Sequence, residues 1–178
     1  MDKETQRVMF SSEFPDWETP DDLYDEQNKK WNFEIDVAAT KDNAKCGKFL
    51  TPEEDIFKIE WSGVAWLNPP YNKPESPCKD KCRKKTCSKR GYHVSKYVPG
   101  QIDFIARASE MAKLGKATTV CLLPARTDTA IFHSFIWDKS RNQTYPGVDL
   151  EFLEGRLKFK GARDFAPFPS MIVVFHKQ

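Results

Sequence analysis

The chain has 178 residues, of which 39% are apolar and 30% charged, and its 28 basic and 26 acidic residues nearly balance. This length fits one compact domain with a small insertion, and the composition is typical of a folded rather than a disordered protein. No apolar run of about 18 residues occurs, which excludes a transmembrane helix. The polar start of the chain does not resemble a secretory signal, so we expect a cytoplasmic protein without a membrane partner.

The first half of the chain predicts one helix and two strands. Thr19 and Pro20 are expected to cap and begin a helix that runs to about Trp31, because two carboxylates follow them at the positive end of the helix dipole. Apolar residues then alternate within residues 33–39, a strand pattern. A second apolar run, residues 63–67, stops at two prolines, which cannot donate to a sheet ladder.

The segment after residue 100 predicts two helices around a strand. Apolar residues recur at helical spacing between residues 102 and 112, with Gly115 as the expected helix stop. Residues 117–124 are almost continuously apolar, as in a strand that is buried on both faces of a parallel sheet. Another helix is expected to begin near Thr127 or Asp128.

The end of the chain predicts antiparallel strands. Two alternating segments within residues 148–160 flank Glu154 and Gly155, a sequence typical of a tight hairpin, and residues 171–175 form one more strand. Strands joined by helices and followed by an antiparallel pair indicate an α/β sheet with a mixed edge. Ligands of such sheets bind beyond the carboxyl ends of the strands, so residues after Val37 and after Leu67 are expected to face a site.

Residues 72–98 show no core pattern and are read as an insertion. Within residues 78–96, eight basic side chains are opposed by one acidic side chain. Such a block in an otherwise acidic protein favours a polyanionic partner, although a solvated loop explains the charge alone equally well.

The same insertion clusters three of the five cysteines. Clustered thiols in a reducing compartment bind metal more often than they form disulfides. Cys78, Cys82, Cys87 and His93 together would suit a tetrahedral, structural Zn2+. A polar segment this short has little else to fold around, but a disordered loop with free thiols stays an alternative.

The motif Asn68-Pro69-Pro70-Tyr71 follows directly on the second predicted strand. A rigid turn would explain its prolines, but the motif resembles the catalytic loop of methyltransferases that use S-adenosylmethionine to modify exocyclic amines of adenine or cytosine. The amine is a poor nucleophile because its lone pair is delocalised into the ring. The Asn68 side-chain oxygen and the Pro69 carbonyl are suited to accept its hydrogens and localise that lone pair. Tyr71 would stack on a base flipped out of the helix.

An ordered set of further motifs is similar to the phage-type DNA N6-adenine methyltransferase family. The resemblance implies a Rossmann-like class I methyltransferase sheet, mostly parallel with a C-terminal antiparallel hairpin, over residues 12–178, with residues 72–98 as the basic Cys/His insertion. It also implies transfer of a methyl group to adenine N6 in DNA. The motifs are Trp17-Glu18-Thr19-Pro20, FEIDVAA, Asn43-Ala44-Lys45, Glu54-Asp55, WLNPPY, LLPARTDT, EGRLKF and FPSMIVVF.

The resemblance also implies the site residues. No Gly-rich loop follows the first strand, where many methyltransferases have one, so cofactor binding is expected to depend on other positions. The expected S-adenosylmethionine-binding residues are Trp17, Thr19, Pro20, Asp36, Asn43 and Asp55. The expected DNA-binding residues of the insertion are Lys81, Arg83, Lys84, Lys85, Lys89 and Arg90. Several of these residues also have a purely structural explanation. Thr19 and Pro20 fit the start of a helix, and Asp55 fits a solvent-exposed position.

Alternatives to this function stay open on the sequence alone. The same loop chemistry serves cytosine N4, and it also serves RNA or the amide of a protein glutamine. A second class of protein, a zinc-containing DNA-binding module on an inactive methyltransferase scaffold, fits the insertion as well. Oligomeric state and recognition sequence are not encoded in any motif of the chain.

Overall fold

The computed structural model describes residues 17–51, 56–80 and 82–178. Asp55, Lys81 and the predicted domain start at residue 12 lie outside the described residues. Three α-helices are present in this part of the chain: α1 (Asp21–Trp31), α2 (Lys85–Arg90) and α3 (Gln101–Lys113). The strands are β1 (Ile35–Asp36), β2 (Gly63–Leu67), β3 (Ala117–Pro124), β4 (Trp137–Asp138), β5 (Gln143–Thr144), β6 (Val148–Phe152) and β7 (Ser170–Phe175).

Five strands form one mixed sheet in the order β1-β2-β3-β7-β6. The pairs β1–β2 and β2–β3 are parallel, whereas β7 runs antiparallel to both β3 and β6. The prediction of an α/β fold with a mixed sheet is therefore confirmed. The described sheet is evenly divided between parallel and antiparallel pairings rather than mostly parallel. Strands β4 and β5 form a separate two-stranded ribbon.

The sheet is covered on both faces, as the continuous apolar run of β3 predicts. Cys121 and Leu123 of β3 belong to one core cluster, which includes the apolar face of α3, while Val120 and Leu122 belong to a second cluster with α1. Alternate residues of a strand point to opposite faces, so each face of β3 packs against its own helix. No helix among the described residues is both long and apolar enough to cross a membrane.

The predicted C-terminal hairpin is wrong. Strand β6 ends at Phe152 and pairs with β7, while residues 156–160 form no strand and continue into a long connection that ends at Pro169. Two contacts draw this segment away from the sheet. The Lys160 N–H donates to the Glu18 carbonyl (2.9 Å), and the side chain of Phe159 is buried in the second core cluster. Burial of an aromatic ring there outweighs the local turn signal of Glu154 and Gly155.

Two further predictions are corrected. The helix expected from Thr127 or Asp128 begins later, after a turn, with helical residues 130–131 that continue into a π-helical segment, Phe132–Ile136, whose Phe132 and Ile136 are buried. The insertion is not free of core residues, because Val94 and Val98 are buried in the first core cluster. Val98 also pairs with Glu75 in an antiparallel bridge, which anchors the base of the insertion to the domain.

Candidate functional site

The ends of β1 and β2 meet at one edge of the sheet. The strands are parallel, with Asp36 paired to Trp66, and the Val37 N–H donates to the Trp66 carbonyl (3.0 Å). Parallel strands present their carboxyl ends at the same edge, so Asn68, which follows β2, lies near the loop that follows β1. The predicted juxtaposition of these two strand ends is confirmed.

The side-chain amide of Asn68 is held at both ends. Its Nδ2 donates to the Trp17 carbonyl oxygen (2.6 Å) and to Oγ1 of Thr19 (3.1 Å). Its Oδ1 accepts a hydrogen bond from the Tyr71 hydroxyl (2.8 Å). The same hydroxyl lies 3.2 Å from the Leu122 carbonyl oxygen, and burial raises the pKa of Tyr71 well above its ordinary value. These contacts fix the orientation of the amide plane and of its oxygen.

The prediction that Thr19 caps α1 is wrong. The helix begins one residue later than expected, with Pro20 at the N-cap and no side-chain cap. Thr19 is buried and its hydroxyl serves Asn68 instead. Thr19 therefore does not cap the helix; it links the segment before α1 to the motif at residues 68–71.

Pro69 and Pro70 complete the turn after β2. Pro69 is buried and Pro70 half-buried. Among the described residues, none donates a hydrogen bond to the Pro69 carbonyl oxygen. That acceptor is therefore not already used by a donor from this part of the chain.

Aromatic rings surround Tyr71. Phe159 and Phe168 meet it edge to face, at centroid distances of 6.1 and 5.7 Å, and Trp17 packs against the same two rings at 5.0 and 5.4 Å. The Arg126 guanidinium lies 5.9 Å from the Phe168 centroid. The sequence reasoning missed Phe159 and Phe168 because it assigned the first to a hairpin strand; the aromatic content of residues 159–168 was the available signal.

Asp36 is buried and organises the loop that follows β1. Its Oδ1 accepts from the Ala38 N–H (3.3 Å) and its Oδ2 from the Lys45 N–H (3.1 Å). Burial raises the pKa of Asp36 to about 6, and the two backbone N–H groups oppose this rise only in part. Asn43 has a similar local role, since its Oδ1 accepts from the Thr40 N–H (2.7 Å). In this structure the side chains of Asp36 and Asn43, both predicted to bind the cofactor, stabilise the conformation of the loop after β1 by accepting hydrogen bonds from its backbone.

An acidic cleft of about 350 Å³ opens beside this loop. Lys45 and Lys160 both form ion pairs with Glu18 and with Asp21 at its edge, and the Lys45 ammonium group, followed by that of Lys160, holds the pKa of Asp21 below its ordinary value. These pairs join the loop after β1, the start of α1 and the β6–β7 connection. The remaining lining residues are Tyr24, Asp25, Asp42, Asn43 and Ala44.

The four predicted metal ligands come together. The ligand atoms of Cys78, Cys82, Cys87 and His93 all lie within 4.8 Å of one another. The Cys87 sulfur lies 3.5 Å from that of Cys78 and 3.8 Å from that of Cys82. Tetrahedral Zn2+ with bonds of about 2.3 Å to sulfur would separate two thiolates by about 3.8 Å, which these distances match. His93 lowers the pKa of Cys78 to about 6, favouring the thiolate that binds metal.

Basic side chains of the insertion lie between and next to these ligands in the sequence. Arg83, Lys84, Lys85 and Lys89 are exposed on and before α2, and Lys84 lies 3.8 Å from Glu75. Lys81 lies outside the described residues, and only the backbone position of Arg90, in α2, is described. The structure thus displays four of the six predicted DNA-binding side chains to solvent.

Comparison with known proteins gives a family. The model of the family described as DNA N-6-adenine-methyltransferase (Dam) matches residues 9–177. The chain is 38% identical over 52 residues to the DNA N-6-adenine-methyltransferase of Haemophilus phage HP1, covering 29% of this chain and 30% of that protein. It is 32% identical over 62 residues to the protein of the same name in Escherichia phage T1, covering 33% of this chain and 26% of that protein.

These matched segments span less than a third of either phage relative. No solved structure is significantly similar to the chain. The family model, in contrast, covers nearly every residue, including the 68–71 motif, the Cys/His insertion and the strands on both sides of them. The chain is therefore a member of the Dam family of DNA N6-adenine methyltransferases.

Proposed function

We propose that this protein transfers the methyl group of S-adenosylmethionine to N6 of adenine in DNA, on a Rossmann-like class I methyltransferase sheet. One observation carries the proposal. The Asn68 amide stands at the carboxyl end of β2, held by hydrogen bonds at both of its polar atoms, in a chain that belongs to this family. A preorganised acceptor beside strand ends is what activation of a weakly nucleophilic amine requires.

The two acceptors act on the two hydrogens of the amine. A carbonyl oxygen has two lone pairs, and Tyr71 uses one of those on Asn68 Oδ1, which leaves the other for an N6 hydrogen. The Pro69 carbonyl takes the second hydrogen, with its direction restricted by Pro70. Pulled by both acceptors, the nitrogen becomes more tetrahedral and its lone pair more localised. The ring of Tyr71 stacks on the flipped adenine while its hydroxyl holds Asn68.

The amide of Asn68 has no basic nitrogen and does not remove a proton. Catalysis by this chain therefore consists of hydrogen bonding and positioning, and the amine proton leaves to water once the nitrogen has been alkylated. When bound, S-adenosylmethionine supplies an electrophilic methyl group. The residues of the chain supply the geometry of the acceptor amine and the exclusion of water by the surrounding aromatic rings.

The cofactor is held between the segment before α1 and the loop after β1. Trp17, Thr19 and Pro20 form one side, and Asp36 and Asn43 shape the other through their hydrogen bonds to loop N–H groups. Asp55 completes the set, although it lies outside the described residues. The acidic lining of the adjoining cleft complements the positive sulfonium and ammonium groups of S-adenosylmethionine, which supports a fit to this cofactor.

The Cys/His cluster holds a structural Zn2+. The sulfur separations and the Cys3His donor set support this assignment. All four tetrahedral positions belong to the protein, so the metal has no open site for chemistry. It fixes the insertion so that Arg83, Lys84, Lys85 and Lys89, together with Lys81 and Arg90, contact the DNA backbone.

The test is a label-transfer experiment. Wild-type protein and Asn68→Ala are incubated with tritiated S-adenosylmethionine and unmethylated genomic DNA, the DNA is digested to nucleosides, and the labelled nucleoside is identified. Label in N6-methyladenine with the wild type, lost in Asn68→Ala while DNA binding persists, is the expected result. Label in N4-methylcytosine would overturn the choice of base. The absence of label together with the absence of cofactor binding would overturn the enzyme assignment.

A further inference from the structure

The connection between β6 and β7, residues 153–169, exposes cations that have no ion-pair partner among the described residues. Arg156, Lys158 and Arg163 are all exposed, and none of them forms an ion pair with a residue in the described part of the chain. Lys160, by contrast, is paired with Glu18 and Asp21. The three unpaired cations belong to a segment that the insertion and its basic block do not include.

The same connection carries the most exposed large apolar side chain of the described residues. Phe165 is 67% exposed, between Asp164 and the fully buried Ala166. The backbone around it is well fixed: the Ala166 N–H donates to the Leu157 carbonyl (2.8 Å), and the Ala162 N–H to the Phe159 carbonyl (3.0 Å). Phe165 is therefore a ring presented to solvent from an ordered loop.

This loop forms one wall of the candidate active site. Its Phe159 and Phe168 contact the ring of Tyr71. Phe165 precedes Phe168 by three residues, a chain length that spans at most about 11 Å. The exposed ring thus lies close to the wall that contacts Tyr71, and Arg156, Lys158 and Arg163 all lie within four residues of Phe159 along the chain.

We infer that residues 153–169 are a second DNA-binding surface, on which Arg156, Lys158 and Arg163 contact phosphates and Phe165 inserts into the base stack beside the flipped adenine. This inference rests on the proposed function. The Cys/His insertion leaves the catalytic motif directly after Tyr71, and the 153–169 connection packs on the ring of Tyr71 itself. One basic segment, the insertion, is therefore next to the motif in sequence, and the other, the 153–169 connection, is next to it in space. Apolar side chains that enter the stack of bent or opened DNA are an established means of stabilising such distortion.

The phosphate contacts are tested by the salt dependence of DNA binding. The triple variant Arg156→Gln, Lys158→Gln and Arg163→Gln is compared with Lys113→Gln, Lys116→Gln and Lys177→Gln. The control removes the same charge near the amino ends of the parallel strands, at the opposite edge of the sheet. On a 30-bp duplex, the slope of log Kd against log salt concentration is expected to fall by about 2 to 3 in the first variant and to stay near the wild-type value in the control. Equal slopes for both variants would overturn the phosphate contacts.

The insertion of Phe165 is tested by comparing double- and single-stranded DNA. Phe165→Ala is matched with Phe152→Ala, which removes an equally large ring, 57% exposed on β6. We expect kcat/KM on unmethylated duplex plasmid to fall at least tenfold for Phe165→Ala. The rate on heat-denatured plasmid and the cofactor Kd should match those of Phe152→Ala, because a single strand leaves no stack to fill. Equal duplex rates for the two variants would overturn the insertion.

Failure of the inference is separable from failure of the proposed function. A wild type that methylates DNA, with surface variants equal to their controls, overturns the inference alone. A wild type that binds duplex DNA without methylating it overturns the proposed function. In that case the salt dependence of duplex binding still tests the phosphate contacts, and 2-aminopurine fluorescence in the duplex tests the insertion of the Phe165 ring. A wild type that binds no DNA overturns both.

Discussion

Replacing Asp36 by Asn measures how the ionisation of this buried carboxylate, beside the loop after β1, changes the free energy of unfolding. Burial raises the pKa of Asp36 to about 6, whereas an unfolded chain holds an Asp pKa near 3.9. The folded state therefore binds the proton more tightly than the unfolded state between these values. The carboxyl group stabilises the fold when it is protonated, and that contribution is lost as the pH rises through about 6.

The magnitude follows from the two pKa values. Complete titration corresponds to about 3 kcal/mol, and roughly half of this falls between pH 5 and pH 8. The side chain introduced by Asp36→Asn does not titrate, so its amide adds only an offset that is independent of pH. That offset includes the loss of one hydrogen bond, because the NH2 group of the amide would face one of the two backbone N–H donors, Ala38 or Lys45.

The assay is urea unfolding of wild type and Asp36→Asn at half-unit pH steps from 5 to 8. The free energy of unfolding of the variant relative to that of wild type should rise by about 1 to 2 kcal/mol over this range. Other titrating groups are common to both proteins and cancel in the difference. A difference that is flat with pH would show that the folded state does not raise the pKa of Asp36 and that burial does not outweigh the loop N–H groups.

Three further predictions concern the motif and the cluster beside it. Tyr71→Phe keeps the ring and loses the bond to Asn68, so single-turnover methylation should slow about fivefold, the equivalent of about 1 kcal/mol, whereas Tyr71→Ala should abolish it; an unchanged rate in Tyr71→Phe would contradict a role for the hydroxyl. Gly100→Ala places a methyl group against the backbone of Lys73 and Pro74, so thermal unfolding should report a loss of about 1 to 3 kcal/mol; an unchanged Tm would contradict this packing. Atomic absorption should find one zinc per chain, lost with a zinc chelator along with tight DNA binding but not cofactor binding. Metal-free protein with full DNA affinity would refute a structural zinc.

Much of the fold could be predicted because its signals are local. Strand β2 ends where the prolines begin, and β3 reads as doubly buried from its own apolar run. The predicted hairpin failed because pairing depends on which strand edge is free. Strand β7 inserts between β3 and β6, a contact across many residues that no turn sequence reports. Phe159 alternates like a strand residue, but its ring contacts Trp17 and Tyr71, which are far from it in sequence.

The candidate site was predictable in its chemistry and less so in its contacts. The motif at residues 68–71 and the Cys/His spacing identify donors and ligands by residue type alone. The bond between Asn68 and Thr19 spans 49 residues and arises from the packing of α1 on the sheet, so it has no signature in either segment. The sequence interpretation gave Thr19 to a helix cap because a threonine before a proline is a common local solution.

The bridge between Glu75 and Val98 makes the insertion a transplantable unit. Its two ends are neighbours in space, and the cost of closing a loop grows only slowly with its length, so the domain tolerates substitutes of different size between them. Val94 and Val98 set the limit, since both fill the core. A segment exchanged between residues 76 and 93 would leave the turn at residues 68–71 intact and replace the basic side chains that are proposed to contact the DNA backbone. Chimeras joined at these positions offer a route to altered DNA affinity without redesign of the fold.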